Sequence, residues 1–203
     1  MADKIIEGIK KLRESKKRNF LQSFDLIVNL KNINVKKPEN KINEIVELPN
    51  GRGKPAKIAI FSDSLKDENL RIITSEEIER LGKNRRELKK LAKKIDFFLS
   101  EPKLMPVVGK NLGMILAPRG KMPTILTGDV SALVKRLTNS VRVRIKDSPV
   151  IQCIVGSEDM EDEKIAENVE AVIKFLEKRL PKGKNNIESV LLKLTMSRPI
   201  RVW

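Results

Sequence analysis

The hydrophobic period of this chain changes twice along its length, and that alternation limits the folds open to it. Ile5, Ile6, Ile9 and Leu12 recur at helical spacing, so residues 3–15 read as an amphipathic helix. Phe24, Leu26, Val28 and Leu30 then alternate with Ser23, Asp25, Ile27 and Asn29, the pattern of a half-buried strand ending near Asn32. Val46 and Leu48 on one face, with Ile45 and Glu47 on the other, mark a second strand running into Pro49-Asn50-Gly51. Asn50 to Lys54 holds Gly51 and Gly53 and precedes Pro55, so it reads as a turn or joint.

From Lys57 the pattern is different. Short apolar strands at Lys57–Phe61, Arg71–Thr74 and Asp96–Ser100 alternate with helical stretches at Asp67–Leu70, Ser75 to near Lys94, Leu104–Leu116 and Val130–Leu137. Ser75 is expected to cap its helix, Gly82 to break it, and Gly109 to interrupt the next. Alternating strands and helices imply a small α/β layer with a parallel sheet. Past Ser140 the period of two returns, with Val141, Val143 and Ile145 against Arg142, Arg144 and Lys146. Val150–Val155 is apolar on both faces except at Gln152, as expected of a central strand. Ile165, Val169, Val172, Ile173, Leu176 and Leu180 form the clearest helical stripe, stopped by Pro181 and Gly183, and Val190–Met196 is the last strand. An α+β pattern interrupted by an α/β pattern implies a discontinuous first domain, 1–51 with 141–203, and a second domain, 52–140, inserted into it.

Composition narrows the chemistry. The 203 residues include no His, no Tyr and a single Cys, Cys153. Histidine-based catalysis, an internal disulfide and a cysteine zinc site are excluded. One unpaired Cys, no apolar run of membrane-spanning length and no signal-like start point to a soluble cytoplasmic protein. The net charge is +15, and residues 52–140 carry 19 basic against 10 acidic groups. The densest run is Lys83, Arg85, Arg86, Lys89, Lys90, Lys93 and Lys94 against Glu87 alone. Like charges at helical spacing cost roughly 0.2–0.5 kcal/mol per pair, so such a run hints at a partner that offsets the repulsion. A field of this sign favours nucleic acid. A membrane surface would need bulkier apolar anchors than Leu88, Leu91 and Ala92.

Three segments bear on function. Ser23 and Asp25 point away from the core if Phe24 points in, and Lys193 and Thr195 do so if Leu192 and Leu194 point in. Arg142, Arg144 and Lys146 give a third strand a basic outer face. Hydroxyls and carboxylates beside cations suit RNA, whose 2′-OH groups and phosphates they can meet, and Phe20 is placed to stack on a base or ribose. Gly51-Arg52-Gly53-Lys54-Pro55 and Pro118-Arg119-Gly120-Lys121-Met122-Pro123 lack the spacing and the following hydroxyl of a phosphate loop. A nucleotide-dependent enzyme on the α/β segment, the main alternative, therefore has neither a phosphate loop nor a catalytic group.

Four segments in order, RNFLQSFD (Arg18 to Asp25), LPNGRGK (Leu48 to Lys54), LAPRGKMP (Leu116 to Pro123) and KLTMSRP (Lys193 to Pro199), carry a family likeness. Over essentially its whole length the chain resembles the family of the first large-subunit ribosomal protein, "L-one", in its archaeal form. The resemblance implies a split α+β first domain, two-layered, with an antiparallel sheet and helices on one face, and an inserted α/β Rossmann-like second domain. It implies binding to 23S-type ribosomal RNA at the mobile stalk near the tRNA exit site, transient contact with exit-site tRNA, and repression of the protein's own mRNA. It implies a ribosome-bound cytoplasmic protein, monomeric when free, that is not an enzyme and uses no cofactor or metal. Carried over, the RNA-binding residues are Phe20, Ser23, Asp25, Thr195, Met196 and Ser197, with Arg18 heading the first segment and Asp147 a lesser candidate. The chain departs from the family at Asp25, usually Glu, at Ser197 and Ala117, usually Gly, and at Asn50, usually His. Glycine suits close backbone approach to RNA, so Ser197 is expected to reshape that contact.

Overall fold

The computed structural model describes residues 2–15, 18–35, 37, 40–65 and 70–203. The chain opens with α1 (Ala2–Arg13), β1 (Ser23–Leu30) and β2 (Asn43–Glu47). It continues through β3 (Ile58–Phe61), β4 (Arg71–Ile73), α2 (Ser75–Lys83), α3 (Arg85–Lys94), β5 (Phe97–Ser100), α4 (Met105–Leu116), β6 (Thr124–Ile125) and α5 (Val130–Thr138). It ends with β7 (Ser140–Arg144), β8 (Val150–Ser157), α6 (Asp162–Arg179), β9 (Ile187–Leu194) and β10 (Ile200–Arg201). Two compact units result, Met1–Pro55 with Asn139–Trp203, and Ala56–Thr138. The architecture is mixed α/β, with antiparallel and parallel sheets. The short helix expected at Asp67–Leu70 falls on residues 67–69, outside the described residues. Among the described residues no helix is long and apolar enough to cross a membrane.

In the first unit four strands pair in the order β10-β9-β1-β8, antiparallel throughout. Phe24, Leu26, Val28 and Leu30 are buried on one face. They share a core with Ile5, Ile9 and Leu12 of α1 and Ile165, Val169, Val172 and Leu176 of α6. Burying each such side chain contributes about 1.5–3 kcal/mol, which is why the period-2 and period-3.6 stripes face each other.

Two expectations for this unit need correction. Val150–Val155 belongs to an edge strand, not a central one, and β1 and β9 are the interior strands. Its apolar second face comes from Val150 and Ile154, which are half-buried on the outer side of the sheet. Hydrophobic content reports burial, and burial alone does not place a strand within a sheet. The basic strand carrying Arg142 and Arg144 is not in this sheet either. β7 pairs with β2 in a separate two-stranded ladder, with Arg142 opposite Ile45 and Arg144 opposite Asn43, while Lys146 lies beyond the strand's end. Alternation shows which residues share a face of one strand, not which strands share a sheet.

In the second unit β4-β3-β5-β6 are all parallel, and β3 and β5 are buried along their full length. Phe61 and Phe98 stack with centroids 5.5 Å apart, beside Ile78, Leu81, Leu88, Val108 and Leu112. The cap of α2 is Thr74 rather than Ser75, its hydroxyl accepting from Glu77 N–H. The break before α3 comes at Asn84, whose side chain accepts from Glu87 N–H and so starts a new helix. Gly82 stays helical, and a Cβ there would lie 3.0 Å from Asn111, so glycine permits the close approach of α2 to α4. α4 runs through Gly109 without interruption. Helical glycine costs about 1 kcal/mol but does not end a helix that packs.

Candidate nucleic-acid interface

The start of β1 and the turn after β9 meet at one end of the antiparallel sheet. Thr195 N–H donates to Ser23 C=O at 3.1 Å, and Ser23 N–H donates to Thr195 Oγ1 at 3.1 Å. The Thr195 hydroxyl also reaches Ser23 C=O at 3.4 Å. It is thus a latch across two strands separated by more than 170 positions in sequence. Ser197 folds its hydroxyl back into the turn, accepting from Leu194 N–H at 2.8 Å. Its backbone lies outside the positive-φ region, which among the described non-glycine residues only Asn32 occupies. Serine here strains nothing, and its hydroxyl is turned toward the protein.

Two residues that sequence reasoning missed hold this end in place. Gln22, buried between exposed Leu21 and half-buried Ser23, accepts from Met196 N–H through Oε1 at 3.2 Å. Its own N–H donates to Glu158 Oε2 at 3.2 Å, and its C=O accepts from Glu158 N–H at 2.9 Å. Arg13 then ties α1 to the loop before α6. It donates to Asp162 Oδ1 and to Glu158 C=O, each at 2.6 Å, and to Met160 C=O. Its guanidinium also lies 5.7 Å from the centre of the Phe24 ring. Gln22 shares the alternating register of Phe24, Leu26 and Val28, and that polar interruption of an inward-facing row was the signal available in sequence.

Supported this way, the end of the sheet presents three large apolar side chains to solvent, Phe20 at 50%, Leu21 at 42% and Met196 at 58% exposure. A groove of about 270 Å³ is lined by Lys11, Arg18, Met196, Ser197 and Arg198 among others. Exposed Met196 therefore lies beside Lys11, Arg18 and Arg198, a combination of apolar and cationic groups suited to unpaired RNA.

Asp25 sits two residues along β1, opposite Lys193 of β9. With Ile27, Gln152 and Ile154 these side chains line a hollow of about 260 Å³ on the outer face of the sheet. Burial raises the Asp25 carboxyl above the ordinary carboxylate range, and nearby Lys193 only partly opposes this. Cys153 is pushed up to about 12 by its burial and then by Asp25, so its thiol stays protonated and inert. The Asp25 shift has a testable sign. A raised folded-state pKa makes the ionised carboxylate a destabilising group at neutral pH, a penalty relieved as pH falls through the folded pKa toward the unfolded value near 3.8. Asp25→Asn should therefore raise Tm at pH 7, and thermal melts across pH should show the gain vanishing near pH 4. A gain that persists unchanged at pH 4 would show that desolvation of the charge is not its cause.

Asp147 does not join this group. It is exposed in the loop before β8, paired with Lys146 at 3.2 Å. That loop adjoins the far end of β1, where Leu30 N–H donates to Pro149 C=O. Seven residues of strand separate it from Ser23, about 23 Å at 3.3–3.4 Å per residue.

The LPNGRGK segment also finds a structural role, through Asn168 of α6, a further residue the sequence did not single out. Asn168 is fully buried. Its Nδ2 donates to Gly51 C=O at 2.7 Å and to Val155 C=O at 2.8 Å, while its Oδ1 accepts from Asn50 N–H at 3.1 Å. Gly53 adopts φ +79° against Ser157, the residue paired with Ser23, and Lys54 Nζ donates to Leu21 C=O at 3.1 Å. The loop leaving the first unit thus braces the strand end that carries Ser23.

Residues 12–198 match the model of the ribosomal protein L1p/L10e family. The chain is 46% identical to the large ribosomal subunit protein uL1 of Methanothermobacter thermautotrophicus, over 100% of both chains. It is 43% identical to that of Pyrococcus horikoshii, over 98% of this chain and 95% of the relative. It is also 43% identical to that of Methanocaldococcus jannaschii, over 98% and 94%. The chain therefore belongs to the ribosomal protein L1p/L10e family, as a ribosome-associated structural protein of the large subunit in the cytoplasm rather than an enzyme.

Proposed function

We propose that the protein binds ribosomal RNA at the mobile stalk of the large subunit, near the tRNA exit site, through the end of the first unit's antiparallel sheet. On this reading Arg18 and its neighbouring cations meet phosphates, Phe20 and Met196 pack on unstacked bases or riboses, and Ser23, Asp25, Thr195 and Ser197 define the shape of the contact. Asp147 meets a separate part of the RNA. Residues 1–51 with 141–203 act as the RNA-binding domain, and 52–140 as an inserted Rossmann-like domain. The protein contacts exit-site tRNA transiently, and represses its own mRNA where that message imitates the ribosomal site. The observation that carries the reading is the junction of the two separated signature segments, Arg18–Asp25 and Lys193–Pro199, at a groove lined by exposed Met196 and the cations Lys11, Arg18 and Arg198.

Thr195→Val tests it. The variant keeps the shape of the side chain but loses the hydroxyl that latches Ser23 to the turn. Affinity for a stalk ribosomal RNA fragment should fall about tenfold, equivalent to ~1.4 kcal/mol, with the salt dependence unchanged because no cation is removed. A scrambled RNA should bind as before. Equal weakening of both RNAs, or of neither, would place the recognition surface elsewhere. Repression is checked by translating the protein's own message in vitro with increasing amounts of added protein; unchanged output would remove the mRNA from its partners.

A further inference from the structure

The second unit carries a cationic face that the sheet-end interface does not use. α3 has ten residues, and Arg85, Arg86, Lys89, Lys90, Lys93 and Lys94 are six of them, all exposed. At 100° per residue these six fall within an arc of about 180°. Leu88, Leu91 and Ala92, which pack into the core of this unit, occupy the opposite side. Lys89 follows Arg85, Lys90 follows Arg86, and Lys93 and Lys94 follow in turn, so like charges stack at every i, i+4 step. Arg85 and Arg86 also stand in the first turn, where the helix dipole disfavours positive charge. The single acid of the helix, Glu87, is engaged by Arg80 of α2 at 3.4 Å.

The PRGKMP turn adds to this concentration. Lys121 Nζ donates to Ala92 C=O at 2.9 Å and to Ile95 C=O, and Arg119 donates to Lys89 C=O at 3.2 Å. One of the chain's four signature segments therefore serves to hold this helix and brings two further cations to it. Packing and helix propensity account for Leu88 and Ala92, but nothing in the fold accounts for six cations gathered on one arc.

We infer that the outer face of α3 is a second, sequence-independent contact for the phosphate backbone of double-helical RNA. Arg85 to Lys94 rises about 14 Å. Double-stranded DNA carries about one charge per 1.7 Å of axis over its two strands, so a duplex segment of that length holds about eight phosphates, and those on the near side fall within reach of the cationic arc. The exposed side chains of the arc are Lys and Arg, with no base-reading carboxylate or amide among them, so attraction here is general and salt-dependent.

The test uses the full chain carrying Lys89→Gln, Lys90→Gln and Lys93→Gln together. These substitutions relieve repulsion and keep helix propensity, so Tm should hold or rise. Against scrambled duplex RNA at low salt, affinity should drop tenfold or more, and the slope of log K against log salt should shrink by about 0.7–0.9 for each phosphate that is no longer neutralised. A stalk ribosomal RNA fragment should show the same reduction in slope while keeping its advantage over the scrambled duplex. Thr195→Val should show the opposite behaviour, so failure of the α3 contact and failure of the sheet-end interface are distinguishable. An unchanged slope and affinity for both RNAs would overturn the proposal. So would loss of binding to anionic phosphatidylserine vesicles with RNA binding intact, which would assign the face to a membrane surface instead.

Discussion

Replacing Asn168 with Leu should cost the protein about 3 kcal/mol of stability, although the two side chains are nearly the same size. Asn168 satisfies Asn50 N–H, Gly51 C=O and Val155 C=O from a position with no solvent access. Leucine leaves all three without that partner, and each unsatisfied buried group costs about 1–3 kcal/mol, less whatever water or relaxation recovers. For a domain of this size the loss corresponds to a Tm lower by roughly 10 °C. Asn50→Ala provides the contrast. The Asn50 side chain bonds to Glu167 and Lys164 at the surface, so its removal should change stability by less than about 0.5 kcal/mol. Urea titrations of the two variants give the answer directly. A destabilisation under about 1 kcal/mol for Asn168→Leu would mean that the loop after β2 does not depend on this residue.

Gly53→Ala should cost about 2–4 kcal/mol, and here the protein contains its own control. A Cβ on Gly53 would lie 2.5 Å from Ser157 Cβ, 2.7 Å from its Oγ and 3.0 Å from its backbone N. The residue also has φ +79°. Left-handed backbone alone costs an alanine roughly 1–2 kcal/mol, and forcing atoms into a filled space adds about 1–3 kcal/mol. Gly128 has nearly the same backbone, φ +75°, with nothing within 4 Å of its Cβ position. Gly128→Ala should therefore show the conformational cost alone. Gly53→Ala should in addition weaken RNA binding, because Ser157 pairs directly with Ser23. Equal costs at the two glycines would refute the steric part of this account.

Much of the fold was legible because burial follows periodicity. The α1 stripe, the alternation of β1 and the stripe of α6 all face the core that their spacing implied. What periodicity cannot encode is pairing between distant strands. The place of β8 at the edge and the separation of β7 from the main sheet depend on contacts across more than 90 residues. The candidate site was legible in exposed Phe20, Thr195 and Met196 and in half-buried Ser23, and illegible in its supports. Gln22, Arg13 and Asn168 act through buried hydrogen bonds whose partners lie far away in sequence, and a lone polar residue in an apolar stripe does not announce which backbone groups it will satisfy.

The position of β1 also sets an order of events during synthesis. Its two neighbours are β8 and β9, whose residues follow it by more than 120 positions. At about 5–20 residues per second, β1 waits roughly 10–30 s before β9 has been made. All the strand partners of the Ala56–Thr138 unit lie within that unit, so it can complete its sheet during this interval. The sheet end proposed to meet RNA, by contrast, needs Thr195 and Met196, which follow β1 by more than 160 positions. Chains that have not yet reached these residues lack the latch and the turn, so the surface proposed to meet RNA forms only after both halves of the first unit have been made.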